Sequence, residues 1–361
     1  MPALVRKQRP EGATLLAIAL CAAMAMTTAT ADDPAPLAGK SSRVVFDRYS
    51  PLASSAELVR RTYSPIAAER VFGYLRDKSK ELPDQTIDLS AERFSLYIPA
   101  GDPPAEGYGL IVFITPGIDG AVPGDWRPVL DRHRLIYVDA DHSGNESNML
   151  WRRIPLALDA YENVAARYHL NPERVYISGF SFGSRTAMRM ALWYPDVFRA
   201  AILNSGSDAF GDDDTEIPKD DLFREFQERT RLVQVTGSRE SDNNDDDAAM
   251  RDSAARYCVQ NVSAQPVRAA GHLQMPGPSL EQAIVTIEQG TAAEAASRAD
   301  ALASCRAGMA TEIAQGLEQV RGLIAKGDKS QASKALMQLD RRFGGLAAPD
   351  SVELWRQVSA K

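Results

Sequence analysis

The chain has 361 residues, 44% of them hydrophobic and 25% charged, which suits a packed globular protein and excludes a disordered or fibrous one. Acids outnumber bases by 48 to 41 and no basic cluster offsets them, so no nucleic-acid partner is expected. The length accommodates one α/β domain with additions.

Arg6, Lys7 and Arg9 open the chain, an apolar run follows over 13–26, and Ala29-Thr30-Ala31 supplies small residues before Asp32-Asp33-Pro34. These are the three parts of a secretory leader, and the run is short for a membrane span. Residues 1–31 are therefore expected to be a signal peptide, with export to the periplasm or medium and no stable membrane span after cleavage. An uncleaved anchor is the alternative, and the setting of Cys21 does not suggest lipidation.

Residues 32–86 read as an N-terminal extension: a flexible start over 35–42, helical signals over 56–61 and 66–78, and Pro83 at the close. Over 87–290 strands alternate with helices. Strands are expected at 94–98, 110–114, 135–138, 174–178, 200–203, 232–236 and 266–270. A helix over 154–168, ended by Asn171-Pro172, and another over 184–193 separate some of them. That alternation predicts an α/β fold, a mostly parallel sheet with helices on both faces. From about 291 the pattern becomes helical. Leu302, Cys305, Met309, Ile313, Leu317, Val320 and Ile324 form one apolar face, with further helices over 330–343 and from Pro349. This C-terminal helical appendage, 291–361, is expected to pack on the α/β domain; a protein partner bound through its helices is the sharper reading.

The chemistry gathers around Gly179-Phe180-Ser181-Phe182-Gly183. The G-x-S-x-G pattern stands between a strand and a helix, the setting of a nucleophile elbow. Glycine two residues either side answers the crowding of that turn. A serine hydroxyl needs a base, and the base needs an orienting acid, here expected in the chain order serine, acid, histidine. Of the four histidines, His133, His142 and His169 precede Ser181, and only His272 follows it. The acid is expected in the loop after 232–236, where Asp242 is the first choice and Glu240 the second. The run Asp245 to Asp247 reads as a solvated helix N-terminus. Phe182 N–H is one expected oxyanion donor; Gly117 or Ile118, after strand 110–114, is the other. The 139–146 loop shares that sheet edge, with His142 and Asn145 read as surface residues before substrate contacts, and Trp126 and Trp151 as packing residues.

These residues carry a resemblance. The region from Phe94 to Ile287 resembles the α/β-hydrolase superfamily, and within it the chain is similar to secreted esterases of the polyhydroxybutyrate depolymerase/feruloyl esterase-like group. Arg174 to Gly183, Val235-Thr236-Gly237 with Asp242 beyond, and Gly271-His272 carry it. The resemblance implies hydrolysis of a small-molecule or polymeric ester through an acyl-enzyme, with no metal or organic cofactor. One departure is plain: many relatives place His-Gly before the oxyanion loop, and this chain has Thr115-Pro116-Gly117. A peptidase or acyltransferase on the same triad, and a non-catalytic binding protein, are the rival readings. Cys258 and Cys305 follow the leader and form either one disulfide or two buried thiols.

Overall fold

The computed structural model describes residues 38–211, 215–289 and 292–359, with the side chains of 292–298 excepted. The leader reading lies outside the described residues. Eight strands build one sheet: β1 (Ser41–Val44), β2 (Phe94–Tyr97), β3 (Tyr108–Ile114), β4 (Leu135–Ala140), β5 (Leu170–Phe180), β6 (Ala200–Asn204), β7 (Arg231–Val235) and β8 (Val262–Ala264). Their spatial order is β1-β2-β4-β3-β5-β6-β7-β8. β1 and β2 are antiparallel to their neighbours, and every pairing from β4 through β8 is parallel. This is the α/β-hydrolase fold.

Strands buried on both faces need apolar residues at nearly every position. β3, β4 and β6 meet that demand and are buried throughout. Alternation along the strands divides the core in two. Leu110, Val112, Ile136, Val138, Ile177 and Leu203 face α4 (Ile154–Arg167) and α5 (Phe182–Trp193). Ile111, Phe113, Tyr137, Tyr176, Ile202 and Val233 face α3 (Arg127–His133) and α8 (Gly277–Glu288).

Two sequence expectations need correction. Residues 41–44, expected to fall in a flexible start and the extension, pair with β2 as an edge strand. Residues 266–270, expected as the last strand, form a turn with one isolated bridge from Val267 to Gly237; the last strand is Val262–Ala264. Val267 packs against the core, whereas Pro266 and Ala269 are exposed on the turn, in which Ala269 takes φ +58°.

The segment between β1 and β2 supplies α1 (Ser55–Thr62) and α2 (Pro65–Asp77). After α6 (Asp220–Arg229), α7 (Ser241–Arg256) and α8 come α9 (Ala292–Ala325), α10 (Lys329–Phe343) and α11 (Asp350–Ser359). Leu302, Met309, Val320, Leu336 and Phe343 join the same core as Ile66, Phe223 and Phe226. Buried Asp340 on α10 accepts the Ser64 hydroxyl and the Ile66 N–H, so it caps the start of α2. Cys258 and Cys305 are joined by a disulfide that ties the end of α7 to α9.

Asp159 on α4 is fully buried. It accepts the Ser50 N–H at 2.7 Å and the Gln85 amide at 3.1 Å, and so fastens the early chain to α4. Burial pushes its pKa up to about 6. The native state therefore holds a proton that the unfolded chain has lost over roughly pH 4–6, and stability falls as pH rises through that window. The fall amounts to about 3 kcal/mol, and Asp159→Asn should flatten it in urea unfolding at stepped pH; an unaltered slope would refute the assignment. Replacing Cys258 and Cys305 by serine frees a crosslink spanning 47 residues of sequence. The loop-entropy cost is about 4 kcal/mol, read as a lower urea midpoint than that of the oxidised chain; equal midpoints would refute it.

Candidate active site

β5 runs into α5 through a single residue, Ser181, at φ +57° and ψ −123°. L residues avoid that region, so the surroundings must hold it. They do so through close packing. A Cβ on Gly179 would collide with the Gly183 backbone, and one on Gly183 would collide with the Ile114 carbonyl. Ser181 N–H donates to the Asn204 carbonyl at 3.0 Å, and Ser184 Oγ donates to the Gly206 carbonyl at 2.5 Å.

His272 Nε2 lies 3.0 Å from Ser181 Oγ. Its Nδ1 lies 2.6 Å from Glu240 Oε2. The imidazole is nearly half exposed, at 47%, and rests on the Phe180 ring with centroids 4.8 Å apart. Its loop is pinned by Asn204 at the end of β6, which accepts the Met275 N–H at 2.7 Å and donates to the Leu273 carbonyl at 3.4 Å. Arg239 N–H to the Ala270 carbonyl, at 2.9 Å, knits the acid and histidine loops together.

The acid beside His272 is Glu240, and the first choice, Asp242, is corrected. Asp242 lies in the exposed first turn of α7 and accepts only the Ser241 hydroxyl among described contacts, at 3.0 Å. The physical reason is where the helix starts. Glu240 is the residue just before α7, three beyond Gly237, so its side chain turns back under the sheet edge while Asp242 already points outward. Four donors converge on Glu240. Oε1 accepts Ser205 Oγ at 2.7 Å and Gly237 N–H at 3.0 Å; Oε2 accepts Asn243 Nδ2 at 2.8 Å besides the histidine. Burial raises the carboxyl's pKa, but these donors outweigh it and hold the group below the usual range. Asn243 is itself oriented by Arg185, whose Nη2 donates to its Oδ1 at 3.2 Å.

The run Asp245 to Asp247 does not open the helix as expected. Asp246 pairs with Arg185 and Asp247 is buried, accepting Ser207 Oγ at 2.5 Å and Thr236 Oγ1 at 2.6 Å.

The 115–120 loop leaves β3 next to the elbow, since Ile114 and Gly179 are register partners. Gly117 N–H is engaged by Thr115 Oγ1 at 3.1 Å, whereas Ile118 N–H has no hydrogen-bond partner among the described residues. Phe182, first in α5, has no carbonyl four residues back in its helix to accept its N–H. Of the two loop candidates, Ile118 is thus the free donor. His142 and Asn145 hold this loop by backbone N–H bonds to the Ile118 and Pro116 carbonyls at 2.5 and 3.0 Å. Trp126 is buried and donates to the Met275 carbonyl at 3.0 Å, while Trp151 is 38% exposed. Asn204, Ser205 and Asn243 escaped sequence reasoning; only their places, at a strand end and three residues past an acid, could have flagged them.

Residues 156–238 match the family model described as Esterase PHB depolymerase. Among solved structures, a ferulic acid esterase is 13% identical with a TM-score of 0.43, covering 69% of this chain and 97% of its own. The S-formylglutathione hydrolase of Staphylococcus aureus is 13% identical with a TM-score of 0.41, covering 55% and 93%. A thermostable esterase is 16% identical with a TM-score of 0.40; the match covers 55% of this chain and only 56% of that one. No curated protein matches the sequence. The sheet order and the elbow are those of an α/β-hydrolase fold, and the elbow lies inside the segment that is similar to this esterase family.

Glu240→Gln should lower turnover of an activated ester by about 10²- to 10⁴-fold, because the imidazole loses its charge partner. Asp242→Asn should leave turnover within about twofold. The reverse ranking would show that the acid has been misplaced.

Proposed function

We propose that this chain is an exported serine esterase acting through Ser181, His272 and Glu240. The observation that supports it best is the unbroken hydrogen-bonded line from Glu240 through His272 to Ser181, with the serine held in a strained elbow. Ser181 Oγ attacks the ester carbonyl while His272 Nε2 takes its proton. Glu240 keeps Nδ1 protonated and stabilises the imidazolium that forms. The N–H groups of Phe182 and Ile118 receive the oxyanion. His272 then gives its proton to the leaving alkoxide, and water, deprotonated by the same nitrogen, releases the acid. The solvent-open imidazole suits water as acyl acceptor, which favours hydrolysis over acyl transfer.

Ile118 after β3, Trp151 in the helical turn before α4, Phe182 at the start of α5 and Leu273 beside His272 are large apolar side chains exposed to solvent. They suit a substrate with an apolar acyl or alcohol portion. The leader over 1–31 supports export, and the single disulfide agrees with an oxidising compartment.

The test is hydrolysis of p-nitrophenyl esters from acetate to octanoate, comparing wild type with Ser181→Ala. Activity in the first and at least a 10³-fold loss in the second is expected. Equal rates would remove Ser181 as nucleophile, and inactivity of both would refute the esterase reading for this ester class.

A further inference from the structure

Arg153 ends a wide helical turn, Met149–Arg153, just ahead of α4. It is 1% exposed. Nη2 donates to the Thr115 carbonyl at 3.2 Å. The guanidinium carbon lies 4.9 Å from the centroid of the Phe182 ring. Nε and Nη1 are buried without a hydrogen-bond partner. Asp139, at the end of β4, is the nearby carboxyl that favours the charged arginine, but burial pushes its own pKa well above the carboxylate range. Asp139 Oδ1 is also buried without a partner. Burial lowers the Arg153 pKa to about 10, which still leaves it charged at neutral pH.

A charge taken out of water without compensating bonds is costly, and packing alone would be served as well by Met or Leu. What distinguishes this place is its neighbours. Thr115 begins the loop that carries Ile118 N–H, and Phe182 carries the other free N–H. Arg153 touches both. Its fork holds the carbonyl of the first arm and its face lies against the ring of the second.

We propose that Arg153 is a positioning residue for the oxyanion site, setting the Thr115–Ile118 loop and Phe182 so that their two N–H groups converge, and lending them its positive charge. The inference rests on the esterase reading. In the ground state the ester carbonyl is neutral and gains little from that charge. In the tetrahedral intermediate the oxygen is anionic and gains most. The effect therefore falls on turnover rather than on substrate binding.

The experiment compares wild type, Arg153→Lys and Arg153→Met on p-nitrophenyl butyrate, with thermal melting beside the kinetics. Arg153→Met should lose about 30- to 300-fold in kcat with KM within about threefold, and Arg153→Lys should fall between the two, keeping about a tenth to a third of the wild-type rate. Inhibition by an alkyl boronic acid, whose adduct carries the negative charge of the intermediate, should weaken in parallel with kcat/KM. Loss confined to KM, unchanged boronate affinity, or full activity in Arg153→Met would each overturn the proposal. If Arg153→Met does not fold, Arg153→Lys decides: a drop in kcat and boronate affinity at unchanged melting temperature upholds the proposal, and unchanged kinetics overturns it. A wild-type chain without Ser181-dependent activity would instead sink the esterase reading and this inference with it.

Discussion

The whole arrangement hangs on one backbone conformation. Ser181 is held at φ +57°, where a side chain is strained by its own backbone, and only close packing keeps it there. The packing comes from glycine. Gly179 and Gly183 meet across the turn, and Gly183 also lies against the Ile114 carbonyl of β3. The same contact that strains the serine therefore fixes the distance between the elbow and the loop leaving β3. Register does the rest: β3, β5, β6 and β7 run parallel and end together, so Ile118, Ser181, Asn204 and the Glu240 loop reach one edge.

Around that edge, backbone groups and neutral side chains settle the electrostatics. Glu240 is buried and ionised because four donors surround it, from the loops after β6 and β7, from α7 and from the His272 loop. His272 reaches the serine from a turn, and its loop is fixed by Asn204, a residue with no part in the chemistry. Sites of this kind are stiff where charge is held and open where substrate enters, and the exposed imidazole marks the open side.

Much of this was legible in the sequence, for identifiable reasons. The elbow could be read because its steric demand leaves glycine as the practical choice at 179 and 183, and sterics is written in residue type. The inner strands could be read because a doubly covered sheet leaves long apolar runs. His272 followed from chain order alone. The acid did not, since Glu240 and Asp242 differ only by which one precedes the first turn of α7, and helix starts shift by a residue or two without changing composition. The strand assigned to 266–270 failed for a related reason: a short apolar run fits an exposed turn with one inward residue, Val267, as well as it fits a strand. β1 was missed because an edge strand of four residues, half exposed, has no pattern to show.

The helices at the two ends of the chain bear on how it is made. Ser64 and Asp340 are hydrogen-bonded across 276 residues of sequence, and Glu69 and Arg356 are paired across 287. A ribosome releases α2 early and its partners last. Until α10 and α11 emerge, the start of α2 has its own Ser64 cap but lacks the Asp340 carboxylate and part of the apolar cover over Ile66, so docking of α2 waits for the later helices. A chain cut after α8 would leave that surface permanently bare. The C-terminal helices are thus the closing stave of the molecule rather than an attachment, and the hydrolase core is finished only when they arrive.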